Sequence, residues 1–449
     1  MSDELKKAAT SIWSDGQSQD SASASPSSKN LEAGLAVDVA CTQQANDGHP
    51  NLVTRILSLV RTRECGRDHC PPPDGGRQAW TQVLLGHIVC VNSWGYINAF
   101  GVFQSYYTTT LSRPPSDVSW IGALQIFFLF FMATFSGRAT DGGYFKFTWS
   151  LGAIITVVSL FLASLSRQYW QLLLSQGVLQ GLGFGLMFCP MLALIPTYFE
   201  RRRAVAITAI ITGCGTGGLI FSLMTNELIN RVGFPWAMRT LGFFTLATLL
   251  PGFFLLRQRL PPRKSGPVVE WRAFCELPYA LFSIGMFLVL WGLYIGGILR
   301  EQLRAGRTVA RFVPGIISDR WTGPMNLLVP SAILSAVVAY AWAGVNDYAG
   351  VWAWSVSYGI LTSVLQGIFP VALSSLTTDL KKLGVRMGMV MTIVSFAVLT
   401  GTPIAGALVR AKHGEYLYMQ MFMGSSMMLG GLCLLGARIM RFGFRFVRG

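Results

Sequence analysis

The sequence predicts an all-α, polytopic membrane protein. Three observations carry that reading: eleven long apolar runs between Trp80 and Gly443, a charged fraction of only 13%, and basic residues gathered in alternate loops. A run of about 18 or more apolar residues is long enough to cross the hydrocarbon core of a bilayer. The runs fall at 81–106, 118–137, 147–165, 170–196, 204–225, 237–256, 277–299, 326–345, 350–376, 387–409 and 416–437. Hydrophobic residues make up 52% of the chain and the mean hydropathy is +0.46, whereas a soluble domain carries about 25% charged residues.

The first segment, 1–78, differs in composition. Met1 to Pro50 is rich in Ser, Ala, Asp and Gln, includes the stretch Ser21-Ala22-Ser23-Ala24-Ser25, and has little apolar surface to bury. It is expected to be a disordered cytoplasmic tail. No apolar core follows Met1-Ser2-Asp3-Glu4-Leu5-Lys6-Lys7, so a cleaved signal peptide is not expected and the first span serves as the insertion signal. Two readings stand for Leu52 to Arg61: a short amphipathic helix on an anionic membrane face, or a linker. Spans one to six then form a bundle over 79–257, followed by a linker over 258–276 marked by Pro261-Pro262 and Gly266-Pro267. A second bundle with five clear helices covers 277–441, and a basic tail covers 442–449.

A net charge of +15 invites a nucleic-acid reading, but the placement of the charges opposes it. Arg138 and Lys146 lie between spans two and three; Arg201, Arg202 and Arg203 follow span four; Arg257, Arg259, Arg263, Lys264 and Arg272 follow span six. The intervening loops hold only Arg113, Arg167 and Arg231. That alternation is the positive-inside pattern and puts the amino terminus in the cytoplasm. Lys381, Lys382 and Arg386 in a later loop, with Arg438, Arg441, Arg445 and Arg448 at the carboxyl end, put the carboxyl terminus there too, which requires an even number of crossings. The cell membrane is the expected location, with an internal membrane as the alternative, and a monomer is the expected state. The eight cysteines show no extracellular pairing pattern. Cys65 and Cys70 flank His69, but further zinc ligands are wanting nearby, so no metal or other cofactor is expected.

One feature repeats between the halves. Span two ends Gly137-Arg138-Ala139-Thr140-Asp141, and the short segment before the eighth run ends Gly315-Ile316-Ile317-Ser318-Asp319-Arg320. Both are Gly-x-x-x-Asp with a basic residue close by at a helix end. The repeat suggests two pseudo-symmetric six-helix bundles, the arrangement in which transporters rock about a central site. Arg138, Asp141, Asp319 and Arg320 are the candidate gating residues.

Further motifs make the chain resemble a known family. Pro73-Asp74-Gly75-Gly76 with Ala79-Trp80 precedes span one, and Asn98-x-Phe-Gly-Val-Phe-Gln-x-Tyr-Tyr107 closes it. Ser119-Trp120-Ile121-Gly122, Thr197-Tyr198-Phe199 with Arg202-Arg203-Ala204, Gly213-x-Gly-x-Gly217-Gly218, Gly233-Phe-Pro-Trp236 with Arg239, and Pro314-Gly315 with Asp319-Arg320 complete the set. Over about residues 72–440 the chain resembles the monocarboxylate-transporter-like branch of the major facilitator superfamily, most of all its fungal members. The resemblance implies a twelve-helix secondary transporter that moves small organic solutes without ATP.

Against that expectation one span is short. After span seven the chain reads Arg300-Glu301-Gln302-Leu303-Arg304-Ala305-Gly306-Arg307-Thr308-Val309-Ala310-Arg311, and too few apolar residues precede Asp319 to cross. Helix eight is therefore expected to be truncated or missing. A deletion of about 20 residues explains this by span length; a distorted segment lined by protein is the rival.

Ionisable residues inside spans mark function by default, and this chain has few. By the resemblance, carboxylate-carrying relatives place a Lys where this chain has Asn98, and an Asp where it has Arg307; the following Arg is kept as Arg311. Arg311 offers a planar fork to a carboxylate or serves as a structural arginine. Asn98 bonds either a neutral solute or a neighbouring helix. Trp291, Tyr294 and Gln366 join them as candidate substrate contacts, with Trp94, Tyr96 and Gln104 as further polar or aromatic cavity candidates. No Asp or Glu lies in the interior of a span, so His87 is the candidate proton-coupling group, or else a packed histidine.

These features exclude other classes. Four scattered histidines do not make a di-iron site, no nucleophile triad appears, and the chain is not expected to be an enzyme. The glycines of spans four and five lie inside apolar helices and serve close packing, not phosphate binding. The reading that remains is a facilitator of a small organic solute, monocarboxylate or metabolite, by alternating access. An efflux carrier for a secondary metabolite, or a sensor on a transporter scaffold, is the alternative.

Overall fold

The computed structural model describes residues 74–259, 269–295, 314–345, 347–377, 382–411 and 415–443. The tail, Arg307 and Arg311 lie outside the described residues. Among those described, eleven helices are long and apolar enough to cross a membrane. They are α1 Gly76–Thr110, α2 Ser116–Asp141, α3 Phe145–Leu165, α4 Tyr169–Thr197, α5 Arg203–Val232 and α6 Phe234–Leu255, then α7 Leu277–Ile295, α8 Pro324–Gly344, α9 Ala349–Leu376, α10 Leu383–Val409 and α11 Leu417–Phe442. A short helix, Trp271–Cys275, precedes α7. Residues 314–317 are helical and run into a π-helical turn, Ser318–Thr322, just ahead of α8.

The helix boundaries follow local chemistry. Gly233 and Gly323 adopt φ values of 76° and 77°, which only glycine takes without strain, and each is followed by a proline in the first turn of α6 or α8. Helix α5 runs on to Val232, past the expected end at Thr225. Its polar extension carries Glu227 and Arg231, which pair one turn apart at 3.0 Å.

Helix α4 packs against α2 and α3, α3 against α6, and α1 against α5; in the second half α11 packs on α7 and α8, α8 on α9, and α7 on α10. The halves meet where α10 lies along α2 and α9 touches α5. Small residues set the closest crossings, because apolar surface has no hydrophobic drive to associate inside lipid and packing must supply it. At the α1–α5 crossing a Cβ on Gly217 would lie 2.5 Å from the Val91 carbonyl oxygen and 2.9 Å from Gly95 Cα. Both neighbours are backbone and cannot swing aside. Gly217→Val should therefore destabilise the first half, by about 1–3 kcal/mol or more, read as lower yield of folded protein and a lower unfolding temperature in detergent.

Candidate functional site: two latches and a central cavity

The two Gly-x-x-x-Asp segments do the same thing in opposite directions. Asp141, at the end of α2, accepts the amide of Gly384 on Oδ1 at 3.1 Å and that of Val385 on Oδ2 at 2.9 Å. Asp319, from the second half, accepts Ala204 N on Oδ1 at 3.0 Å and Val205 N on Oδ2 at 2.8 Å. These are the second and third residues of α10 and of α5. The first amides of a helix have no partner within it and carry its positive dipole end, so a carboxylate there is doubly favoured.

The glycines of the motif explain their own spacing. A Cβ on Gly137 would collide with the carbonyl oxygen of Gly384, and one on Gly315 would lie 3.0 Å from that of Ala204. Each glycine thus lets its helix end approach the same turn that the aspartate four residues later caps. Each half caps a helix of the other. Thr134 and Thr392 hydroxyls, 2.7 Å apart, add a polar contact along the α2–α10 seam. Burial pushes the Asp319 carboxyl above its usual value, against the pull of the Val205 and Ala204 amides and Arg203. Of the basic partners, Arg138 is half-buried beside its latch and Arg320 is exposed.

Between the halves lies a narrow cavity of about 40 Å³, partly open to solvent. Trp94, Phe130, Phe188, Ile211 and Cys214 line it from the first half; Leu290, Tyr294, Gln366, Phe369, Pro370 and Met391 line it from the second. A π-helical turn, Val91–Gly95, carries Trp94; such turns re-aim side chains and recur at functional sites. Trp94 meets Phe130 and Phe188 edge-on, with centroids 5.4 and 5.9 Å apart.

The sequence candidates divide. Trp94, Tyr294 and Gln366 line the cavity. Asn98 does not: its amide donates to the Cys214 carbonyl at 2.9 Å and rests on Gly218, joining α1 to α5. Trp291 is also off the cavity, edge-on to Phe422 at 5.0 Å. Tyr96 is buried among Phe103, Phe184 and Phe221. His87 is held between helices, with Nδ1 2.9 Å from the Ala209 carbonyl and Nε2 3.1 Å from the Thr216 hydroxyl. The carbonyl can only accept, so Nδ1 donates to it. Sequence reasoning did not single out Phe130, Phe188, Phe369 or Met391, since nothing local separates a cavity-facing apolar residue from a lipid-facing one.

The Major Facilitator Superfamily model matches residues 85–306. An MFS-type transporter of Gibberella zeae is 41% identical over 405 residues, covering 86% of this chain and 92% of that protein. The aspyridones efflux protein apdF of Emericella nidulans is 34% identical over 392 residues, covering 83% of this chain and 80% of its own. In fold the chain is similar to the crystal structure of the human organic anion transporter MFSD10, with a TM-score of 0.60 at 15% identity, over 81% of this chain and all of that one. With its paired latches and its central cavity between two helical halves, the chain belongs to the major facilitator superfamily and is a membrane transporter.

Proposed function

We propose that this transporter exports a largely apolar, aromatic or weakly polar secondary metabolite. The observation that carries the reading is the cavity: aromatic and aliphatic side chains surround it, and among its described lining residues the polar handles are Gln366, Tyr294 and the Trp94 indole. A pocket of that kind binds through area and ring contacts, with a few polar groups fixing orientation. The aspyridones efflux protein among its relatives supports export. Motifs such as Asp74-Gly75-Gly76 support placing the chain in the monocarboxylate-transporter-like branch, without a monocarboxylate as its solute. The latches act as the gate on the basic, cytoplasmic face, with both termini on that side and a monomer in the cell membrane as the working unit.

Metabolite profiling of cells with and without the chain tests this. A ring-bearing, uncharged compound should move from medium to cell extract when the chain is lost, and Trp94→Ala should reproduce part of that shift. Uptake of labelled lactate that depends on the chain would overturn the reading.

Transport is further expected to run on the solute gradient or on exchange. A proton carrier favours a partly buried carboxylate with a raised pKa, and no described Asp or Glu lines the cavity. Flux of the exported compound in proteoliposomes should respond weakly to an imposed pH gradient, and His87→Gln should remove that response. Strong pH-driven accumulation that survives His87→Gln would instead point to Asp319.

A further inference from the structure

The helix ends that the latches cap are themselves held, by residues that precede the first helix of each half. Asp74 sits in the turn before α1 with a φ of 49°, and its backbone N donates to the Tyr198 carbonyl at 3.2 Å. Its Oδ1 accepts the amides of Glu200 at 2.6 Å and Arg201 at 2.8 Å. Three residues further on, Ala204 and Val205 give their amides to Asp319. One stretch of backbone is thus gripped by two carboxylates, one from its own half and one from the other.

The second half repeats the arrangement with side-chain pairs. Glu270 and Glu276, in the segment before α7, hold the residues that bracket the amides capped by Asp141. Lys382 Nζ lies 2.9 Å from Glu270, Arg386 Nη1 donates to Glu276 at 2.9 Å with Nη2 on its other oxygen, and Arg386 Nε faces Glu270 at 3.5 Å. The Tyr279 hydroxyl donates to the Arg386 carbonyl at 2.7 Å. Arg386 is only 6% exposed. Burial alone would raise the Glu270 carboxyl, but Lys382 and Arg386 outweigh it and hold it below its ordinary value.

We propose that Asp74 in the first half, and Glu270 with Glu276 in the second, are positioning residues for the gate: each fixes, from within its own half, the helix start that the other half's latch carboxylate must find. A helix end frays unless something holds its first turn. A frayed end would present its amides to water and not to the incoming carboxylate. These holding contacts do not cross between the halves, so they persist when the latches part, and the amides stay aligned for reclosure. Their loss therefore weakens the closed state at the latch face while the opposite face gains nothing.

The inference rests on the latches acting as the gate, and the test separates the two. In a full-length chain whose sole cysteine is Cys214, on the cavity wall, labelling by a small charged methanethiosulfonate is timed from each face of sealed vesicles. Asp74→Ala should speed labelling from the latch face about tenfold, the population change expected when fraying of the helix start costs the closed state one charge-assisted bond to Asp319, and slow it from the other face. Asp74→Asn keeps the Oδ1 acceptor and should stay near the unsubstituted rate. Asp319→Ala is the control for the gate itself. If it leaves the rates unchanged, the gate reading fails; if it speeds latch-face labelling while Asp74→Ala does not, only the positioning role fails. Equal acceleration at both faces marks general loosening and also overturns the proposal. Should Asp74→Ala not accumulate, Glu276→Gln decides in its place, since Glu270 still pairs with Arg386 there.

Discussion

Replacing Gly388 with valine is expected to cut transport to a small fraction and leave each half of the protein folded. Gly388 lies on α10 where it crosses α2, and a Cβ there would collide with the Ala133 carbonyl oxygen and come within 2.6 Å of Thr134 Cα. Those atoms are helix backbone, so relief comes only by moving α10 away from α2. That seam joins the halves; it is not part of either bundle's own packing. The cost of overpacking, about 1–3 kcal/mol, therefore falls on the closed state of the latch face. By population arithmetic it empties that state by about five- to more than a hundredfold. Flux in proteoliposomes should fall to a small fraction of the unsubstituted rate, with the detergent unfolding temperature little changed. Gly217→Val makes the opposite pattern, because its clash lies inside the first half. If Gly388→Val lowers folded yield as much as Gly217→Val does, the seam is structural and not a moving surface.

The spans were legible because the bilayer imposes length and composition on each segment separately. As far as the described residues reach, ten of the expected runs sit within a few residues of their helices; α5 runs on past its expected end, through a polar turn that carries the exposed Glu227–Arg231 pair. The latch aspartates were legible for a different reason: the same Gly-x-x-x-Asp stands at the same point of each half. Their receptors were not. Gly384 and Val385 are more than 240 residues from Asp141, and a backbone amide has no signature in a sequence. Three of the cavity's eleven described lining residues were visible for the same physical reason that the rest were hidden. Trp94, Tyr294 and Gln366 carry polar atoms that are conspicuous in an apolar span, whereas Phe130, Phe188 and Phe369 look like any residue facing lipid. Asn98 and His87 show the limit of that rule. Both are polar at membrane depth, and both spend their hydrogen bonds on the α5 backbone or on Thr216.

The two latches should behave as halves of one switch. Each carboxylate uses both oxygens on successive amides, so an asparagine in its place keeps one acceptor and turns an NH2 group toward an N–H donor. The charge that complements the helix dipole goes with it. A hydrogen bond to a charged group contributes about 1.5–3 kcal/mol and the dipole about 0.3–1 kcal/mol more. Asp141→Asn and Asp319→Asn are thus each expected to shift the closed-to-open ratio at the latch face by at least about tenfold. Because Asp141 and Asp319 sit on different seams and bond different helix starts, the double variant should shift it by about the product of the two. The measurement is a pair of spin labels on exposed positions of the latch face, one at Arg320 and one at Tyr144, with the populations of short and long distances compared across the four proteins. A product relation with matched single effects would establish two equivalent clamps on one rigid-body motion. A double variant no worse than either single one would mean that the first latch to break already frees the second, making the gate a single cooperative contact. If Asp319→Asn alone leaves the distances unchanged, the second half does not hold α5, and the repeat is one of sequence without a shared mechanical role.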